Sequence, residues 1–200
     1  MKRIALLILL CVGIKASAQV QIGWRDTYYA QIAYQYKDTW SVKLEHSVYS
    51  EHIEYQKVRV YLGYEKDWNR VNLKIEPYFS TLWNASYQDF GVLVNSEVRV
   101  LDRWSLDATI NPHYDTQVKY QTCFSAGTSV LLIEQLSLIA HYSNIPEFRM
   151  PESRLRVGVS FKVQNLSLVP ELSIPLEGQK KTVRVLFSFQ YHFMNAKDKH

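Results

Sequence analysis

From Gln19 to Phe193 large apolar residues recur at every second position, and no stretch carries a convincing helical period. A period of two is the signature of strands with one apolar and one polar face. Twelve segments show it: 19–25, 27–36, 40–49, 55–65, 70–80, 89–100, 104–114, 118–131, 136–143, 153–162, 165–174 and 182–193. The first is short, and ten strands is the fallback count. The last reads TVRVLFSFQYHF, with Val183, Val185, Phe187, Phe189, Tyr191 and Phe193 on one face. Arg184, Ser188, Gln190 and His192 lie on the other, and Leu186 is the one large apolar residue among them.

The polar faces hold charge of both signs. Lys43, Lys57, Arg59, Lys74, Arg99, Arg154, Arg156 and Arg184 interleave with Glu45, Glu65, Glu76, Glu97 and Asp107, and opposite charges on adjacent strands can pair. The apolar faces hold almost none. Many strands of about ten residues, each long enough to cross hydrocarbon at a tilt, point to an all-β fold: a single up-and-down antiparallel transmembrane barrel. A secreted soluble β-barrel that binds a ligand is the alternative, with the two faces exchanged.

The connections support the membrane reading. Tight ones contain KDT at 37–39, EKDWN at 65–69, LDR at 101–103, IEQ at 133–135 and VQN at 163–165. They alternate with generally longer ones, such as TLWNASYQ at 81–88 and SNIPEFRMPE at 143–152. Short turns on one rim and longer loops on the other is the layout of an outer-membrane barrel. Trp40, Trp68 and Trp104 each sit at or just after a tight turn, with Leu136 and Leu166 at the matching later places. Three indoles at one rim would form an interfacial girdle. Pro77, Pro112 and Pro170 fall late on the apolar faces of their strands. Lacking an N–H, they predict bulges or strand ends there.

The start of the chain reads as a leader. A basic MKR, the apolar run IALLILLCVGI and small residues up to Ala18 predict a secretory signal peptide over 1–18, cleaved before Gln19. It contains Lys2, Arg3 and Lys15, three of the 23 basic residues, so 20 remain against 19 acidic ones. Nucleic-acid binding thereby loses its electrostatic support. Of the two cysteines only Cys123 remains, so no intrachain disulfide can form in the exported chain. Closing a barrel, which satisfies every backbone group, is another route to stability.

With its ASAQ cleavage site, short strands and a terminal strand ending at Phe193, the chain resembles the small outer-membrane β-barrels of Bacteroidota. The resemblance implies an outer-membrane location among lipid and lipopolysaccharide, and insertion by the barrel-assembly machinery, which reads an aromatic last strand. The domain plan is then a barrel over 19–193 with a polar periplasmic tail, 194–200. The expected role is structural, narrow-channel or accessory to an outer-membrane protein complex. A lumen of twelve strands is much narrower than that of the 16–18-stranded porins.

One stretch carries possible chemistry. HYSN at 141–144 resembles the His-x-Ser-Asn motif of outer-membrane lipid A 3-O-deacylases. That resemblance would make Ser143 the nucleophile and His141 the general base of a lipid esterase, since residues i and i+2 of a strand share a face. The chain departs from that family where an acid is expected about fourteen positions after the histidine, a neighbourhood occupied by Leu155 and Arg156, with Glu152 nearest. No catalytic residue is assigned on this match. His46, His52, His113, His141 and His192 are dispersed without metal-ligand spacing, and neither a phosphate loop nor a dinucleotide fingerprint occurs, so no metal and no cofactor is expected.

Overall fold

The computed structural model describes residues 18–48, 52, 55–117, 119–145, 153–177 and 182–193. Of the expected leader only Ala18 falls within them, at the start of the first strand, and the expected tail lies outside them.

Twelve strands follow in order: β1 (Ala18–Arg25), β2 (Tyr29–Tyr36), β3 (Trp40–Ser47), β4 (Lys57–Trp68), β5 (Val71–Leu82), β6 (Gln88–Leu101), β7 (Trp104–Asp115), β8 (Lys119–Ile133), β9 (Leu136–Ser143), β10 (Arg154–Val163), β11 (Leu166–Pro175) and β12 (Arg184–Phe193). Each pairs antiparallel with its neighbours in sequence, and β1 pairs with β12, Val20 opposite Phe193 and Trp24 opposite Phe189. The sheet is therefore a closed up-and-down barrel with no free edge along its circumference. The start of β1, the end of β12 and the turns at 37–39, 69–70, 102–103, 134–135 and 164–165 share one rim, here the terminal rim. The other is the loop rim.

The pattern of burial is inside out. Glu45, Ser47, Ser80, Asp89, Arg154, Glu171 and Ser173 are buried, whereas Leu62, Phe79, Phe90, Ile110 and Val185 are exposed on the outer wall. A soluble barrel would place the apolar set inside, so the alternative of a secreted binding barrel does not fit this wall. Trp40, Trp68 and Trp104 stand exposed on the terminal rim, and Trp40 packs edge-on to Tyr64 at 4.9 Å between centroids. A second set of rings, including Trp83 and the stacked pair Phe90–Tyr114, lies towards the loop rim. The two sets bracket the apolar band as aromatic girdles do.

Three local expectations are corrected. The residues EKDWN do not form a turn. Glu65 pairs with Lys74 and Trp68 with Val71, so β4 runs on until Asn69, whose φ of 53° turns the chain. The three prolines neither bulge nor end their strands. Register is unchanged across each of them, and what is lost is pairing with one neighbour: between Tyr61↔Tyr78 and Tyr64↔Ile75, between Gly91↔His113 and Val94↔Ile110, and between Gly158↔Glu171 and Phe161↔Leu168. A missing N–H silences one side of a strand only, and the other side keeps Pro77↔Val92, Pro112↔Thr122 and Pro170↔Phe187. The register shifts occur elsewhere, at Arg99/Leu101 and Leu131/Ile133 beside terminal-rim turns. Finally, the first loop-rim connection, Asp26–Tyr28, is as tight as those opposite. Asp26 and Thr27 both take positive φ (53° and 68°), as a primed hairpin turn requires.

Candidate functional site: the lumen

Because side chains alternate, the even spacing that exposes Val60 and Leu62 sends Lys57, Arg59 and Tyr61 inward. In the loop-rim half these inward groups form one polar network. Glu45 lies at its centre. Its two oxygens accept from Arg25 Nε at 2.9 Å, from Arg25 Nη2 at 3.3 Å and from the Tyr61 hydroxyl at 2.7 Å. Arg59 donates to the Tyr61 hydroxyl at 2.9 Å, and its guanidinium lies 4.8 Å from the Tyr78 ring. Asp89 faces both Lys57 and Arg59, at 3.4 and 3.6 Å.

Across the barrel, Asp26 receives Arg156 Nη1 at 2.7 Å, tying the first hairpin to β10. Burial alone would raise the Asp26 carboxyl, but Arg25 and Arg156 outweigh it and hold the group below its ordinary range. Asp26 also anchors the turn to β12, since its backbone N–H donates to Ser188 Oγ at 2.9 Å. The network thus ties inward residues from β10 through β1, β3 and β4 to β6. The facing wall of β7 to β9 contributes mainly uncharged groups such as Thr109, Asn111, Gln121 and Ser125.

Two larger spaces and a smaller one lie among the described residues of the lumen. One of the larger two, of about 270 Å³, lies between the network and the β6–β8 wall and is lined by Arg59, Tyr61, Tyr78, Asp89, Asn111 and Gln121 among others. The other, of about 420 Å³, opens towards the terminal rim and is rich in amides, with Gln21, Gln31, Gln35 and Gln190. Gln190 donates to Gln21 at 2.6 Å. Between the two spaces stand Lys43 and Glu76, 3.3 Å apart. The smaller space, of about 190 Å³, lies on the loop-rim side, beside Ser125, His141, Ser143 and Arg156.

The fold is that of a porin-type barrel. Among solved structures, the chain is similar to a KdgM porin in complex with disordered oligogalacturonate, with 11% identity and a TM-score of 0.67 over 90% of this chain and all of that one. It is also similar to the NanC porin, with 7% identity and a TM-score of 0.53 over 88% and 98%. The outer membrane protein Omp33 of Acinetobacter baumannii gives 7% identity and 0.54 over 90% and 100%. At such identities the likeness is one of fold. No family model matches the chain, and no curated protein matches it.

The HYSN residues have other partners here. His141 and Ser143 point into the lumen and line the 190 Å³ space, on the face opposite the lipid. His141 Nε2 lies 3.5 Å from Glu171 Oε1, an acid from β11 that linear spacing could not reveal. Ser143 Oγ accepts from the Ile145 N–H at 3.1 Å, and Asn144 Oδ1 accepts from the Phe124 N–H at 2.7 Å. The motif therefore closes the end of β9. An acyl chain in the surrounding lipid has no access to Ser143 from this face.

Of the polar-face charges read from sequence, Lys43, Glu45, Lys57, Arg59, Glu76 and Arg156 enter the network. Lys74 joins it through Glu76 at 3.2 Å, while Glu65 accepts from Asn72 at 2.9 Å. Glu97 and Asp107 face one another across β6 and β7. Arg25, Asp26, Asp89, Glu171 and the inward tyrosines were absent from that set. Tyr61 and Tyr78 share parity with Arg59 and Glu76, which was the available signal that their rings point inward.

Proposed function

We propose that the protein is an integral outer-membrane barrel that passes small hydrophilic solutes with weak charge preference. The observation that carries this reading is a pair of polar spaces in series within the lumen that share the Lys43–Glu76 pair as lining. The inside-out wall and the porin-type fold support placement in an outer membrane, with the terminal rim towards the periplasm. Export by the leader over 1–18, and insertion guided by the aromatic face of β12, belong to the same reading, as does a Bacteroidota-type origin.

The solved KdgM porin holds an oligogalacturonate, a polyanion. Here Arg25, Lys57, Arg59 and Arg156 each lie within 4 Å of a carboxylate, Lys57 and Arg59 sharing Asp89, so among the described residues these four leave no unpaired basic track for such a chain. Small solutes suit this lumen better. Planar-bilayer recording of the purified protein is the test: small, discrete conductance steps are expected, and electrical silence of correctly folded protein refutes a conducting role. Silence together with a stoichiometric partner in a pull-down from membranes would favour the accessory role instead.

A further inference from the structure

We propose that Lys43 is the movable bar of the lumen, and that the Lys43–Glu76–Lys74 triad admits small anions ahead of cations. The proposal rests on the channel reading and assigns its narrowest step. Lys43 and Glu76 are the side chains that line both the 270 Å³ and the 420 Å³ spaces, so a solute moving between them has to pass this pair. Lys74 lines only the second.

The two members are not held alike. Glu76 is buried and fixed from three sides: Lys74 Nζ at 3.2 Å, Lys43 Nζ at 3.3 Å and the Asn95 amide, which donates to Oε2 at 3.3 Å. Both lysines approach the same oxygen, Oε1, at 3.3 and 3.2 Å, so Lys43 shares its acceptor with a second cation. The Lys43 ammonium also lies 3.9 Å from the centroid of the Tyr61 ring, a second resting place that survives if Glu76 is released. When Lys43 swings aside, Lys74 still neutralises Glu76, and no buried carboxylate is left alone. Glu45 makes the contrast, because Arg25 and Tyr61 bond both of its oxygens and leave nothing free to move.

The triad itself carries two positive charges and one negative, with Glu65 opposite Lys74 on the terminal-rim side. An anion can accept the ammonium of Lys43 while Lys74 keeps Glu76. A cation would have to compete with both lysines for a single carboxylate. The step therefore favours small inorganic or carboxylate anions.

Single-channel recording in a potassium chloride gradient tests this on wild type and three variants. Lys43→Ala should raise conductance about twofold or more, as widening a constriction does, and shift the reversal potential towards cations. Glu76→Gln should also raise conductance, because two lysines then repel without a carboxylate between them, but should shift the reversal potential towards anions. Lys43→Met, which keeps the stem against Tyr61, should reproduce the selectivity change of Lys43→Ala with a smaller conductance rise. Heat-modifiable gel mobility confirms folding of each variant. A conducting wild type whose Lys43→Ala and Glu76→Gln variants keep its conductance overturns this proposal alone. Shifts of the same sign in both variants also overturn it. Silence of wild type and variants alike overturns the channel reading together with the bar.

Discussion

Replacing Glu45 with alanine should cost the barrel about 3 kcal/mol of stability. The carboxylate is 2% exposed and accepts three hydrogen bonds, two from Arg25 and one from Tyr61. Removing one partner from a buried ion pair costs about 3–5 kcal/mol, because the other charge is left uncompensated. Two features place this case at the lower end. The Arg25 side chain is 36% exposed, so water screens part of its loss, and Asp26 remains as a second carboxylate. The Tyr61 hydroxyl has no such relief, since the residue is 2% exposed and stranding a buried donor costs about 1–3 kcal/mol by itself. Glu45→Gln keeps an acceptor for Tyr61 and the same shape, and should cost roughly half as much. Urea unfolding of protein folded into lipid vesicles, followed by tryptophan fluorescence, gives these differences. A double-mutant cycle with Arg25→Ala isolates the pair. A loss below about 1 kcal/mol for Glu45→Ala, or equal losses for alanine and glutamine, would refute the reading of Glu45 as the centre of the network.

Three further outcomes follow from the same structure. Ile110→Arg, on the lipid face midway along β7, should cost about 2–4 kcal/mol in vesicles, whereas Thr109→Arg on the lumen face should cost no more than about 1 kcal/mol. Asp26 is held below its ordinary range, so its contribution is present at neutral pH and is lost as pH falls through its folded-state value. Unfolding midpoints measured from about pH 7 down to about pH 2 should fall for wild type below about pH 4, and Asp26→Asn should flatten that decline while lowering the neutral midpoint. Gly158→Ala should cost about 1–3 kcal/mol by the same urea assay, because an added Cβ meets the Pro170 carbonyl and lies 2.7 Å from Glu171 Cγ.

Much of the architecture was legible because a membrane barrel writes it in a period of two. All twelve strands stand within three residues of the boundaries read from alternation, and Trp40, Trp68 and Trp104 mark the rim they suggested. The failures have local causes. At EKDWN, charged residues resemble a turn, yet Glu65 and Asp67 face a wet lumen and extend the ladder. Pro77, Pro112 and Pro170 resemble breaks, but a proline silences only one side of its strand, and the opposite neighbour holds the register. Leu186 looked like a fault in the pattern. It is fully buried inside, opposite Glu171.

The lumen was legible as a set of charges and not as a set of pairs. Asp26 meets Arg156 across 130 positions of sequence, and His141 meets Glu171 from another strand. Closure and shear decide such partners, and neither is written in any local stretch. Tyr61 and Tyr78 were assigned to neither face from sequence, and their positions place hydroxyls and ring faces among arginines and carboxylates.

The central claim is that alternate residues of one strand face lipid and water. A nitroxide carried along β7 from Ser105 to Ile110, on a Cys123→Ser background in vesicles, tests it most directly. Probes at Ser105, Asp107 and Thr109 should collide with a water-soluble nickel complex, and probes at Leu106, Ala108 and Ile110 with oxygen dissolved in the bilayer. Accessibility to the nickel complex at all six positions, or a period other than two, would contradict the account.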